Sequence, residues 1–104
     1  MQLHTLAMFL SVSVEIIGSA AMPIAGESYS LTCNVSGVSV TTYQWRKDGT
    51  VLAQNRQSLF FSSLRLSDAG HYTCNASVNS VMYSNGRNVT IKGKNAEKNI
   101  IERT

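Results

Sequence analysis

The sequence predicts an all-β fold, a β-sandwich of about seven antiparallel strands. Apolar and polar residues alternate at period two along most of the chain, and no segment sustains the spacing of an amphipathic helix. Turn-forming residues recur about every 8 to 12 positions, the rhythm of short strands folded back on one another. The 104-residue length suits one domain. Hydrophobic content of 43% beside 14% charged residues is that of a globular chain.

The first strand is expected over Val12-Ser13-Val14-Glu15-Ile16-Ile17, where Val12, Val14 and Ile16 share one face. A second reading takes the first 21 residues as a signal peptide cleaved near Gly18-Ser19-Ala20-Ala21. Two features favour the strand: no lysine or arginine precedes the apolar stretch, and Glu15 interrupts it. On that reading Met1 is an internal or truncated start of a longer protein, and residues 1–11 lie outside the domain. The domain spans 12–92, and 93–104 form a polar tail or linker stub without periodicity.

Tyr29, Leu31 and Cys33 point to the core in the next strand, with Ser30, Thr32 and Asn34 outward. Tyr43 and Trp45 are the inward pair of the one after. Lys47-Asp48-Gly49-Thr50 reads as a hairpin turn, because Asp-Gly tolerates the positive φ such turns need. Val51-Leu52-Ala53 is a short returning edge. Leu59, Phe61 and Leu64 lead into the corner at Asp68-Ala69-Gly70, and Tyr72, Cys74 and Ala76 face inward beyond it. Asn85-Gly86 is expected to form a further turn, so Asn79-Ser80-Val81-Met82-Tyr83-Ser84-Asn85-Gly86 reads as a loop before the inward pair Val89 and Ile91.

The combination of Cys33, Trp45 and Asp68-Ala69-Gly70-His71-Tyr72-Thr73-Cys74 resembles the signature of immunoglobulin-like domains. The resemblance covers residues 12–92, most of the chain. It implies that Cys33 and Cys74 form one inter-sheet disulfide with Trp45 packed against it. It also implies a tyrosine corner at Tyr72, whose hydroxyl would bond backbone a few residues upstream. Gly70 suits a crowded corner or a positive φ. Asp68 is expected to accept hydrogen bonds from the corner or to pair with Arg56, or less favourably with Arg65. The short stretch from Trp45 to Leu59 leaves room for one small edge strand, which is similar to the C2 or I subtype and not to a variable domain.

The cysteines themselves admit two states, a bridge or two free buried thiols as in muscle-type intracellular modules. Three sequons, Asn34-Val35-Ser36, Asn75-Ala76-Ser77 and Asn88-Val89-Thr90, favour the oxidised state, because both features point to the secretory pathway. Alternation turns Asn34, Asn75 and Asn88 outward as candidate glycosylation sites. In this family the last two strands belong to the sheet containing Trp45, a frequent contact face. Glycans on Asn75 and Asn88 would shield it and move recognition to loops or to the opposite sheet.

No catalytic, cofactor-binding or metal site is legible. Only His4 and His71 offer an imidazole, the carboxylates are scattered, and both cysteines are committed. The net charge of +3 comes without a run of like charges, which argues against nucleic acid as a partner. No stretch is long enough for a membrane span. The resemblance therefore implies a non-enzymatic extracellular module, secreted or from a membrane-protein ectodomain, that contacts a protein partner homophilically or heterophilically. Val81, Met82 and Tyr83 are the candidate partner-binding residues, set among the serine, asparagine and glycine that binding loops favour. The segment Val38-Ser39-Val40-Thr41-Thr42 lies at the same end. The alternatives are a spacer in a tandem immunoglobulin array and the muscle-type module.

Overall fold

The computed structural model describes residues 12–93, so the N-terminal segment with His4 and the tail from 94 onward lie outside the described residues. Seven strands form two antiparallel sheets. They are β1 (Ser13–Gly18), β2 (Tyr29–Ser36), β3 (Thr42–Lys47), β4 (Thr50–Val51), β5 (Ser58–Phe61), β6 (Gly70–Val78) and β7 (Val81–Val89). The three-stranded sheet runs β1-β2-β5 and the four-stranded sheet β4-β3-β6-β7. One 3₁₀ turn, Leu66–Asp68, makes the corner before β6.

The inward residues are those that alternation selects. Ile16, Tyr29, Leu31, Cys33, Trp45, Leu59, Leu64, Tyr72, Cys74 and Val89 form one buried cluster. All but Leu64, which lies between β5 and the 3₁₀ turn, come from the apolar side of a strand, and bringing them together removes the surface that drives folding. The disulfide Cys33–Cys74, with Cα atoms 6.2 Å apart, joins the middle strand of one sheet to a middle strand of the other. Trp45 lies opposite Cys74 in the β3–β6 register and is fully buried. Its indole N–H donates to the Arg56 carbonyl at 2.8 Å, so the polar atom of the core's largest side chain is satisfied.

The corner is tied as the signature implies. The Tyr72 hydroxyl donates to the Asp68 carbonyl. Asp68 accepts from the Arg65 backbone N–H at 2.8 Å, so the bond it makes is to main chain and not to the Arg56 or Arg65 guanidinium. Gly70 answers to crowding: a Cβ there would come within 2.8 Å of Asp48 Oδ2 and 3.0 Å of Lys47 Cε. Burial, reinforced by the negative charges of Asp68 and Asp48, pushes the Tyr72 phenol up to about 12 from its ordinary 10.0. A folded-state value above the unfolded one means the unfolded chain releases the proton first. The stability this tyrosine contributes is thus complete below pH 10 and lost as pH rises toward 12. Tyr72→Phe should destabilise the domain by about 0.5–1.5 kcal/mol at neutral pH and flatten that alkaline decline, as paired urea titrations across the window would measure.

Both hairpins turn on residues in the left-handed region. Asp48 and Gly49 (φ 48° and 86°) join β3 to β4, as the Asp-Gly pair predicts. Asn79 and Ser80 (φ 49° and 70°) join β6 to β7 in two residues. The expected turn at Asn85-Gly86 is corrected: both lie inside β7, opposite Cys74 and Thr73. The reason is tertiary. Asn85 and Arg87 occupy the inward side of β7 and reach sideways to β1, where Asn85 Nδ2 donates to the Val14 carbonyl at 2.6 Å and an Arg87 guanidinium N–H to the Ile16 carbonyl at 2.9 Å. Below them Ile24 pairs with Lys92 in parallel, so the chain after β1 crosses to the other sheet's edge. There the Lys92 N–H donates to the Pro23 carbonyl at 3.0 Å and the Ala25 N–H to the Lys92 carbonyl at 2.8 Å.

Candidate interaction surface

Strand register assigns each candidate residue to a face. On the outer face of the four-stranded sheet, Gln44, Asn75 and Ser84 form one cross-strand row, and Thr42, Ser77 and Met82 the next. Arg46 lies opposite Val51 toward the other end. This face is polar and uncharged apart from Arg46, Lys-free, and carries the exposed side chains of Val51 and Met82. Thr42, Gln44, Val51, Asn75, Ser77 and Met82 share a shallow groove of 380 Å³, with the half-buried Asn75 on its floor.

Val81, Met82 and Tyr83 do not lie in a loop. They open strand β7 directly after the two-residue turn. Val81 and Met82 remain exposed, Met82 at 61%, while Tyr83 is half-buried opposite Ala76. The β2–β3 connection reaches the same end, because the Thr41 N–H donates to the Ser77 carbonyl at 2.8 Å and Thr42 faces Ser77 in the ladder. Val38 in that connection is also exposed. Three aliphatic side chains thus stand in water at one end of the sandwich.

The three sequon asparagines are outward, but they divide between the sheets. Asn75 and Asn88 are on β6 and β7, in the sheet of Trp45. Asn34 is on β2, exposed and opposite Glu15, in the three-stranded sheet. The opposite sheet is therefore not free of candidate sugar positions. Asn88 lies toward the far end of β7, whereas Asn75 shares the groove with Met82 and Asn34 is two residues from the end of β2 that leads to Val38. Asn88 has a partner that sequence reasoning missed: His71 Nδ1–H donates to Asn88 Oδ1 at 2.6 Å. The ring lies over Gly86, where a Cβ would meet Nε2 at 2.6 Å. Holding Oδ1 in this way leaves Asn88 Nδ2, the atom a glycan would join, unengaged by the imidazole. Alternation places His71 and Asn88 outward, but only the β6–β7 register makes them opposite neighbours.

Among the described residues no three histidine, cysteine, aspartate or glutamate side chains gather as a metal-ligand set. Nor does a helix long and apolar enough to cross a membrane occur among them.

Comparison with known proteins agrees with this architecture. The chain is 34% identical over 73 residues to the CD166 antigen of Oryctolagus cuniculus, an alignment covering 70% of the chain and 13% of that relative. Among solved structures, the full ectodomain of mouse nectin-like molecule 4 superposes with a TM-score of 0.70 at 23% identity, covering 83% of this chain and 32% of that one. The N-terminal four immunoglobulin domains of Dscam1 isoform 4.44 give a TM-score of 0.64 at 22% identity, covering 79% and 20%. The chain thus spans a small part of the proteins it resembles. The family model described as immunoglobulin domain matches residues 16–91, and with the bridge, the buried tryptophan and the tyrosine corner in place, the chain belongs to the immunoglobulin domain family.

Proposed function

We propose that the chain is a non-enzymatic, extracellular protein-binding module of a cell-adhesion molecule or receptor ectodomain. The observation that carries this reading is the exposure of Val38, Val81 and Met82 at one end of the sandwich. Solvent-facing aliphatic side chains beside adaptable polar ones form the kind of surface that desolvates on contact with a protein. The likeness to the CD166 antigen and to a nectin-like ectodomain supports an extracellular setting. Glycans on Asn34, Asn75 and Asn88 would cover the flat faces of both sheets, the one on Asn75 beside Met82, and leave the tip that carries Val38 and Val81 as the site of recognition.

Two measurements test the reading. Peptide mapping of the protein from its native host should find the bridged cysteines and sugar on the three asparagines; free thiols without sugar would favour the muscle-type alternative. Beads coated with the chain, tested for mutual aggregation and for adhesion to cells of the source organism, report homophilic and heterophilic contact. The double variant Val81→Asp/Met82→Asp should weaken whichever contact occurs by at least about tenfold while leaving the fold intact. Wild-type beads that bind neither each other nor cells would sink the binding role and favour the spacer.

A further inference from the structure

Among the described residues, the three-stranded sheet ends on β5, with no strand paired to its outer side. Such an edge offers unpaired backbone groups to any other extended chain. Register shows which groups these are. Ser30 opposes Phe60, and Ser30 bonds toward β1: its N–H donates to Ser19 Oγ at 2.9 Å and its carbonyl accepts from the Ser19 N–H at 2.9 Å. Ser30 and Phe60 are therefore a non-hydrogen-bonded pair, and Phe60 turns its N–H and C=O away from the sheet. Ser58, two residues earlier, does the same.

At Phe60 both groups are taken by one side chain. The Phe60 N–H donates to Gln54 Oε1 at 2.9 Å, and Gln54 Nε2 donates to the Phe60 carbonyl at 2.9 Å. A carboxamide presents the same donor and acceptor as a peptide unit, so Gln54 stands where the backbone of an added strand would lie. The Phe60 ring itself is 57% exposed on the outer face, an apolar group beside this edge.

We propose that Gln54 is an edge lock: its carboxamide occupies the outward backbone unit of Phe60 and thereby prevents β5 from pairing with β5 of a second copy of this chain. The occupant follows from self-complementarity. Two β5 strands meeting antiparallel about a two-fold axis at Leu59 would set Ser58 of each copy opposite Phe60 of the other. Each such pair exchanges two hydrogen bonds, four in all. With Gln54 in place, each copy first surrenders the two bonds to Phe60, so nothing is gained against the entropy of association. Without Gln54 the four bonds form at no such loss, and the exposed Phe60 rings gain cover.

The test is Gln54→Ala, read by sedimentation velocity and by hydrogen exchange of the Phe60 amide over a concentration series. In the wild type, Phe60 is protected to the same extent at every concentration. In Q54A it exchanges fast when dilute and slows as concentration rises, with self-association at least about tenfold tighter than wild type. Gln54→Glu keeps the acceptor for the Phe60 N–H and loses the donor to its carbonyl, so its association falls between the two. Adding Ser58→Pro to Q54A removes an outward N–H from the first residue of the strand, and returns the protein to a monomer. A Phe60 amide in Q54A that stays protected when dilute would show that Gln54 is not the lock. One that exchanges fast at every concentration would show that no second copy pairs there.

Discussion

Removing the Cys33–Cys74 bridge, by reduction or by a Cys33→Ala/Cys74→Ala pair, is expected to destabilise the domain by about 2–5 kcal/mol. The bridge closes a separation of 41 residues, and in the loop-entropy model this restricts the unfolded chain by roughly 4 kcal/mol. Both cysteines are fully buried, so the alanine pair also leaves unfilled space beside Trp45. Against a total stability of about 5–15 kcal/mol for a domain of ordinary size, the loss is large enough to leave part of the population unfolded at 37 °C. Urea unfolding with and without reductant measures it. The midpoint should fall and the slope should rise, because an uncrosslinked unfolded chain exposes more surface. An unchanged midpoint would mean that the interior holds the sheets together without the bridge.

Trp45→Ala carries the next largest effect, about 3–5 kcal/mol. The indole fills the layer between the sheets, faces Cys74 across the β3–β6 ladder, and bonds the Arg56 carbonyl through Nε1. Truncation forfeits the packing and leaves that carbonyl without its donor. Trp45→Phe separates the two contributions: it retains most of the ring volume and loses the bond, and should destabilise by about 1–3 kcal/mol. Because a change of 1 kcal/mol shifts the melting temperature by about 4–8 °C in a domain of this size, the alanine variant should melt at least about 12 °C lower. Circular dichroism is the suitable probe, since Trp45 is the only tryptophan and its replacement removes the tryptophan fluorescence. A phenylalanine variant as unstable as the alanine one would assign the effect to the hydrogen bond instead of the volume.

The strands β1, β2, β3, β5 and β6 are legible in the sequence because each buries one face, and burial of one face imposes alternation. The exposed two-residue β4 is legible only through the Asp48-Gly49 turn before it. Tyr29-Leu31-Cys33 and Tyr72-Cys74-Ala76 are apolar at every second position and lie in the core accordingly. The last strand breaks the rule. Its inward positions include Asn85, which reads as the end of a loop, and the charged Arg87, and Asn85-Gly86 is a strong local turn signal. Those side chains are at home there because the carbonyls of Val14 and Ile16 accept their hydrogen bonds, and those residues lie some seventy positions away. The turn falls instead at Asn79-Ser80, where neither residue is glycine and both adopt positive φ. The Asp68 carboxylate is a smaller case: of the two readings the sequence offers, acceptance from the corner and pairing with an arginine, the folded corner realises the first, through the Arg65 amide.

The candidate surface divides in the same way. That Asn34, Asn75 and Asn88 face solvent follows from their position beside inward cysteines and a valine. Which sheet each belongs to, and that His71 bonds Asn88, depends on how strands pair. By itself, the sequence determined the fold class and the inward residues of the strands before β7, because alternation is a local property, and the resemblance carried by Cys33, Trp45, Tyr72 and Cys74 implied the bridge, its tryptophan and the tyrosine corner. Only the tertiary structure decided the course of β7, the division of the asparagines between the sheets and the reach of Gln54 to Phe60. Each of these rests on hydrogen bonds or strand pairing between separate segments, whose geometry exists only once the sheets have assembled.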